Sequence, residues 1–447
     1  MAATSAPPAA PPAPPGPVDV LLVGTGEYTT GFGANSGKTD KAAGVVALAM
    51  LDLRRRGLVG GILMSGTSGA KFPAIRAHMR RAIDEAYPGS GFDSASIRTF
   101  PADGATDAAA YRAALAALPR GSAVTVFTPD DTHFAIAMDC VRAGHHVLVT
   151  KPVVMRLSEH RELAAAAAAA GVLVCVEVHK RWDPIYADAR DRLRGLGDFS
   201  YLSAFMSQPK LQLETFRAWA GVSSDISYYL NSHHVDFHEW VMSGGRGRPL
   251  RVVGMGATGV AERQLGRPCE DTISLHVTWQ NLPSRTTGIA SYTASWAAAP
   301  ADVHSQQRFH MMMHRGEAAV DQAHRGYSVA ADGASFASPN PLFMKYTPDD
   351  RGRFAGQQAY GYRSFEAFVS AVQQVRIGAA SARDFDHVLA SIHTTALTTA
   401  ILEAGRRSLD AGGTPMAISY ADDDSCEPVD ISPVGGSSPS TSEGRRA

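Results

Sequence analysis

The sequence predicts an α/β protein, with an N-terminal Rossmann domain on a parallel sheet followed by an α+β domain with an open, mostly antiparallel sheet. Three observations predict it. Short apolar runs alternate with helical patterns from Val18 to Val178. A glycine-dense loop, Gly24 to Thr39, follows the first of those runs. Beyond about residue 180 the runs lengthen into β-like stretches. Alternation of strand and helix builds a parallel sheet covered on both faces, and its ligands bind at the carboxyl ends of the strands.

The elements follow in order. Val18–Val23 reads as the first strand, and residues 41–56 read as a helix that Thr39 or Asp40 can cap and Gly57 can end. Gly61–Met64 and Ser96–Phe100 read as strands two and three. A helix at Asp107–Leu118, a strand at Ala123–Phe127 and a helix at Thr132–Arg142 closed by Gly144 come next. The strand His145–Thr150, the helix Ser158–Ala170 and the strand Val172–Val178 complete the first half. In the second half "FSYLSAFM", "LRVVGMGATGV", "TISLHVTW", "TTGIASYTASW" and "QRFHMMMH" read as strands. "SHHVDFHEWVM" reads as a helix, as do stretches near Tyr362–Val375 and Phe385–Ser408. Residues 1–17, rich in Ala and Pro, and residues 421–447, rich in Asp, Ser, Gly and Pro, are expected to be disordered tails. The expected domains are therefore 18–178 for dinucleotide binding and 179–420 for substrate binding and oligomerisation. The cleft between them is the expected small-molecule site.

Composition narrows the function. Lys and Arg total 42 against 43 Asp and Glu, a net charge of −1, so no global basic field invites nucleic acid or an anionic membrane. Cys140, Cys175, Cys269 and Cys426 are widely spaced and form no C-x-x-C pair. That argues against a disulfide framework or a zinc site and for a reducing compartment. No apolar h-region opens the chain, and the longest apolar run, Leu163 to Val176, is too short for a membrane span. A cytoplasmic location is expected. His310 and His314 have metal-like spacing, but their Met-rich run reads as a strand, and no metal is expected there.

The glycine loop ends in Gly37-Lys38-Thr39, like a phosphate-binding P-loop. That motif requires glycine at position 32, which is Phe32. The dinucleotide fingerprint G-x-G-x-x-G requires glycine at 24, 26 and 29; the first two match and the third is Thr29. Three further stretches stand at strand ends or opposite them: "FTPDDTHFAIA", "AGHHVLVTKP" and "YYLNSHHVDF". Reduction of a carbonyl leaves negative charge on oxygen, and a cation or proton donor beside that oxygen lowers the barrier. Lys151, on the loop leaving a central strand and stiffened by Pro152, can supply charge and a proton. His233 can close on the same oxygen from the second domain and, unperturbed, titrates near neutrality. The second strand exits as "MSGTSGAK" with no Asp or Glu, while Ser65, Thr67 and Ser68 can donate to a 2′-phosphate and Lys71 or Arg76 can balance its charge. NADP(H) is thus the expected cofactor, with NAD(H) as the alternative.

These stretches together resemble the Gfo/Idh/MocA family of NAD(P)-dependent oxidoreductases over about Val18 to Leu409. Within that family, "VGTGEYTTGF", "LDLRRRG", "KFPAIR", "MSQPKLQLETF" and "SDISYYLNSHH" are similar to fungal-type D-galacturonate reductases. The resemblance implies reduction of the aldehyde of D-galacturonate to L-galactonate. It implies cofactor contacts from Gly24, Gly26, Glu27, Tyr28 and Thr29, from Thr128, Pro129 and His133, and from Lys151 and Pro152. It implies catalysis by Lys151 and His233. Two departures stand out. The family's E-K-P is Thr150-Lys151-Pro152, and its aspartate four residues before the motif histidine is Tyr229, whose hydroxyl can donate a proton. Asp236 completes the H-x-x-D that selects His233. A uronate carboxylate calls for a second cation, and Arg181, Lys180 and Lys210 are the candidates, with Asn231 and His234 beside them. The alternatives are another sugar or polyol dehydrogenase of the family, or a nucleotide-sensing protein without chemistry. The family's open sheet face commonly pairs with another subunit, so a homo-oligomer is a further expectation.

Overall fold

The structure, a computed structural model, describes residues 16–33, 41, 43–333 and 336–435. The P-loop-like Gly37-Lys38-Thr39 and the caps Thr39 and Asp40 lie outside the described residues, as do residues 1–15 and 436–447 of the expected tails.

The first sheet holds β1 (Val18–Val23), β2 (Val59–Ser65), β3 (Arg98–Phe100), β4 (Ala123–Val126), β5 (His146–Thr150) and β6 (Val174–Glu177). Its order is β3-β2-β1-β4-β5-β6, with every neighbouring pair parallel. Strands such as "AVTV" and "VCVE" are buried along their length, because helices cover both faces. The chain reverses direction across the sheet between β1 and β4. The connections that leave their carboxyl ends therefore run to opposite faces of the sheet and leave the crevice where doubly wound sheets bind ligands.

The second sheet holds β7 (Phe199–Pro209), β8 (Gly247–Thr258), β9 (Glu270–Asn281), β10 (Thr287–Ala298), β11 (Gln306–Met313), β12 (Gly316–Asp321), β13 (Met416–Tyr420) and β14 (Pro428–Pro433). Its order is β12-β11-β7-β10-β9-β8-β13-β14, and only the β7–β10 pair is parallel. β9 alternates half-exposed and buried positions along its length, as a sheet covered on one face requires. The inner face packs on the helices Ser232–Met242 and Ala396–Asp410 through Phe237, Val241, Ile401 and Ala404. Both halves of the predicted fold class are borne out.

Two expectations about the chain's ends need correction. The helix Tyr360–Arg376 does not belong with the second sheet. Phe365, Phe368, Val369 and Val372 on it pack against Val18, Val20 and Leu22, so it closes one face of the first sheet. Residues 428–433, expected within a tail, form the edge strand β14 against β13, with Ile431 buried. Sequence separation hides the first contact, and polar neighbours mask the second.

Candidate active site

The site begins at the exit of β1. Gly24 has φ +107°, and a Cβ there would stand 2.0 Å from the carbonyl oxygen of Phe127, at the exit of β4. Only glycine lets these two exits pass so closely. Gly26 lines the cleft, and a Cβ on it would meet nothing within 4 Å. The backbone is thus bare on the side a pyrophosphate would approach. Ser65 and Thr67 line the cleft from the end of β2, Thr128 and Pro129 from the turn after β4, and Glu27 and Tyr28 from the glycine turn. The cleft measures about 1340 Å³, more than the few hundred to one thousand Å³ of a typical small-ligand pocket and ample for a dinucleotide plus a sugar.

Several residues expected at the cofactor stand elsewhere. Thr29 is buried beneath the turn. Ser68 forms a bridge with Thr106, and Lys71 is exposed, so neither lines the cleft. Arg76 is engaged by Asp103. His133 is fully buried, its ring nitrogens 2.8 Å from Pro152 O and 2.9 Å from Thr128 O. It ties the turn after β4 to the turn after β5 and holds Lys151 and buried Pro152 in place without facing the cleft.

Lys151 projects from the exit of β5 into the cleft. Its ammonium donates to the carbonyl oxygen of Tyr229 and stands 4.1 Å from the centre of the Tyr229 ring. The side chain keeps access to the cleft, yet enough protein surrounds it that desolvation lowers its pKa to about 7. Asp130 and Glu177 oppose that shift and Lys41 adds to it. Asp130, on the turn after β4, accepts from Ser224 Oγ, and burial raises its own pKa. His233 also lines the cleft, from the helix Ser232–Met242. Its Nδ1 is buried without a hydrogen-bond partner among the described residues, and burial, with Lys151, His179 and Lys180 nearby, pushes its pKa well down. The expectation that His233 titrates near neutrality is thereby corrected: it stands as a neutral imidazole. Tyr229 packs its ring against Phe216 and Trp219, which extend an aromatic wall along the cleft.

Two residues that sequence reasoning passed over complete the cluster. Glu177 ends β6 and is the register partner of Thr150. A carboxylate on the neighbouring strand therefore stands near enough to favour the charged form of the lysine, although Thr150 occupies the position before Lys151. Glu177 is buried, accepts from Ser364 Oγ at 3.0 Å, and lies 3.5 Å from His179 Nδ1. The available signal was the lone charged residue in the apolar run "VLVCVEV", since carboxylates are rarely buried in a strand without a task.

The basic residues expected at the substrate's carboxylate are corrected in turn. Arg181 forms a buried bidentate pair with Asp236, Nε to Oδ2 at 2.9 Å and Nη2 to Oδ1 at 2.7 Å. Lys180 is fully buried and donates to the side-chain oxygens of Gln307 and Gln322. Lys210 is exposed outside the cleft. Asn231 is spent on Ser227 and on the carbonyl of Ile273, and His234 on the hydroxyl of Tyr186. A helix turns each residue 100° from the last, so of "NSHHVD" His233 reaches the cleft while its neighbours point inward.

Residues 70–178 match a family model, GFO_IDH_MocA, described as "Oxidoreductase family, NAD-binding Rossmann fold". The chain is 33% identical over 121 residues to the uncharacterized oxidoreductase YdgJ of Escherichia coli (strain K12), covering 26% of this chain and 35% of that protein. It is 30% identical over 117 residues to scyllo-inositol 2-dehydrogenase (NADP(+)) IolW of Bacillus subtilis (strain 168), covering 25% of this chain and 32% of that protein. The chain thus spans about a third of the length of these relatives. The fold matches the crystal structure of GenD2 from gentamicin A biosynthesis in complex with NAD, with a TM-score of 0.63 and 17% identity over 93% of this chain and 100% of that one.

Proposed function

We propose, from the premise that residues 70–178 belong to the Gfo/Idh/MocA oxidoreductases with their NAD-binding Rossmann fold, that this protein is an NAD(P)H-dependent reductase of a sugar carbonyl. The first substrate assignment is D-galacturonate, reduced to L-galactonate. The observation that carries the reading is Lys151. A lysine with its pKa lowered to about 7 stands at the strand-exit end of a cleft that a bare glycine turn opens for a dinucleotide. A reduced nicotinamide, when bound, supplies the hydride equivalent. The chain's own residues do the rest. Gly24, Gly26, Thr128 and Pro129 shape the space that would hold the cofactor. The exit of β2 offers Ser65 and Thr67 with no carboxylate between residues 64 and 71, which supports NADPH as the better donor. Lys151 faces the charge that develops on the carbonyl oxygen. Trp219, Phe216 and Tyr229 offer an aromatic wall for a sugar ring, and Gln208 and Gln307 offer amides for its hydroxyls.

One observation favours a second reading, a neutral sugar or polyol as substrate. Among the described residues no arginine lines the cleft, and its amides suit hydroxyl groups. The exposed face of the second sheet aligns Ile289, Tyr201 and Met312 across three strands, which supports pairing with a second copy. The test is cofactor absorbance with the purified chain, using NADPH or NADH with D-galacturonate or glyceraldehyde, and NADP+ or NAD+ with inositols. Faster turnover of galacturonate than of glyceraldehyde supports the first assignment. Turnover of inositols alone selects the second reading, and no turnover of any of them overturns both.

A further inference from the structure

We infer that His179, held by the Glu177 carboxylate, is the group that hands the proton to the substrate oxygen. The inference rests on the reductase reading above. His179 lies on the short turn that leaves β6, and its ring lines the cleft. Three rings fix its plane: Tyr360 stacks on it at 5.7 Å and 23°, Phe343 lies 5.2 Å away, and His233 lies 5.2 Å away. Its Nδ1 faces Glu177 Oε2 at 3.5 Å, and Ser364 Oγ holds the other oxygen of that carboxylate. A carboxylate accepts only, so this pairing calls for the tautomer with its proton on Nδ1. The exchangeable position of the ring is then Nε2, for which the described residues offer no partner. A carboxylate that orients an imidazole toward the reacting oxygen is the arrangement general acid–base catalysis requires.

His233 contrasts with it at every point. Among the described residues no carboxylate backs His233 and its buried Nδ1 has no partner, and burial among neighbouring cations opposes its protonation. The motif histidine is therefore fitted to shape the cleft and to accept or donate a neutral hydrogen bond, while the histidine on the turn that leaves β6 moves the proton. The step balances simply. The Nε2–H bond of His179 breaks and an O–H bond forms on the former carbonyl oxygen. The N–H electron pair stays on the imidazole, and both reducing electrons come from the reduced nicotinamide cofactor. The ring recovers its proton from water through the cleft.

The experiment uses the full chain with NADPH and the carbonyl substrate that the wild type turns over fastest. His179→Asn should lower kcat on the order of a hundredfold, while NADPH affinity, read by fluorescence, changes by less than about threefold. His179→Gly should recover activity in proportion to added imidazole, which a merely structural histidine would not allow. Glu177→Gln should lower kcat by itself and add little on the His179→Asn background, because the two act as one unit. His233→Asn should instead act mainly on KM. Nitrogen-15 NMR of labelled histidine supplies a readout without turnover, with His179 protonated at Nδ1 in the wild type and altered in Glu177→Gln. Near-wild-type kcat in His179→Asn, or a neutral His179 protonated only at Nε2, overturns the inference. A wild type that reduces no carbonyl overturns the reductase reading, and the NMR result still decides whether the Glu177–His179 pair exists.

Discussion

Lys151 and Lys180 stand at the exits of neighbouring strands, and the physics acting on them is alike. Burial lowers both from 10.5 to about 7. Their surroundings differ. Lys151 gives one bond to a carbonyl, keeps its ammonium over an aromatic ring and opens to the cleft. Lys180 is capped by the oxygens of two glutamines, with Tyr186 3.5 Å away, and is sealed from solvent. A perturbed lysine marks a functional site only when hydrogen-bonding capacity is left over for a substrate. Lys180 has spent its capacity on orienting Gln307 and Gln322. An ammonium only donates, so it fixes which end of each amide points away from it. The next residue, Arg181, is spent in the same way on Asp236.

The comparison can be broken by substitution. The largest expected effect is at the spent cation. Arg181→Gln leaves Asp236 buried without its partner and should cost about 3–5 kcal/mol of stability, read by denaturant unfolding. If stability were unchanged and only KM for a uronate rose, Arg181 would face the substrate after all. Lys151→Met should lower turnover by about a hundredfold or more, equivalent to about 3 kcal/mol, with NADPH affinity changing much less. Retained turnover would remove Lys151 from the chemistry.

The pH dependence sharpens the contrast. If the ammonium form of Lys151 faces the developing charge, kcat/KM should fall as pH rises through about 7, and that limb should be absent from Lys151→Met. Stability should move the other way. Between about 7 and 10.5 the unfolded chain binds more protons than the folded one, so stability rises with pH. Each lysine contributes up to about 1.4 kcal/mol per pH unit, and the penalty is full below pH 7. Lys180→Met should flatten that rise. The smallest effect is on its kcat, expected to stay within about threefold because Lys180 reaches the cleft only through Gln307 and Gln322. A large loss of kcat in Lys180→Met with intact folding would erase the distinction between the two lysines.

The sequence by itself determined the layered fold, because the period and length of apolar runs are local properties that burial enforces. "AVTVF" and "HHVLVT" read as buried strands from their residues alone. It also placed Lys151 at a strand exit and the glycine turn at the mouth of the crevice, since both follow directly from strand boundaries. Only the tertiary structure decided which charged side chains face the cleft. Arg181 and Lys180 lie within four residues of Glu177, and all three stand at the same end of the sheet. One meets Asp236, one meets two glutamines, and Glu177 meets His179 and the exit of Lys151. Those partners lie 2 to 142 residues away along the chain. For Arg181 and Lys180, whose partners lie 55 and 127 to 142 residues away, long-range packing turns the charge into scaffold, and no local pattern encodes that choice.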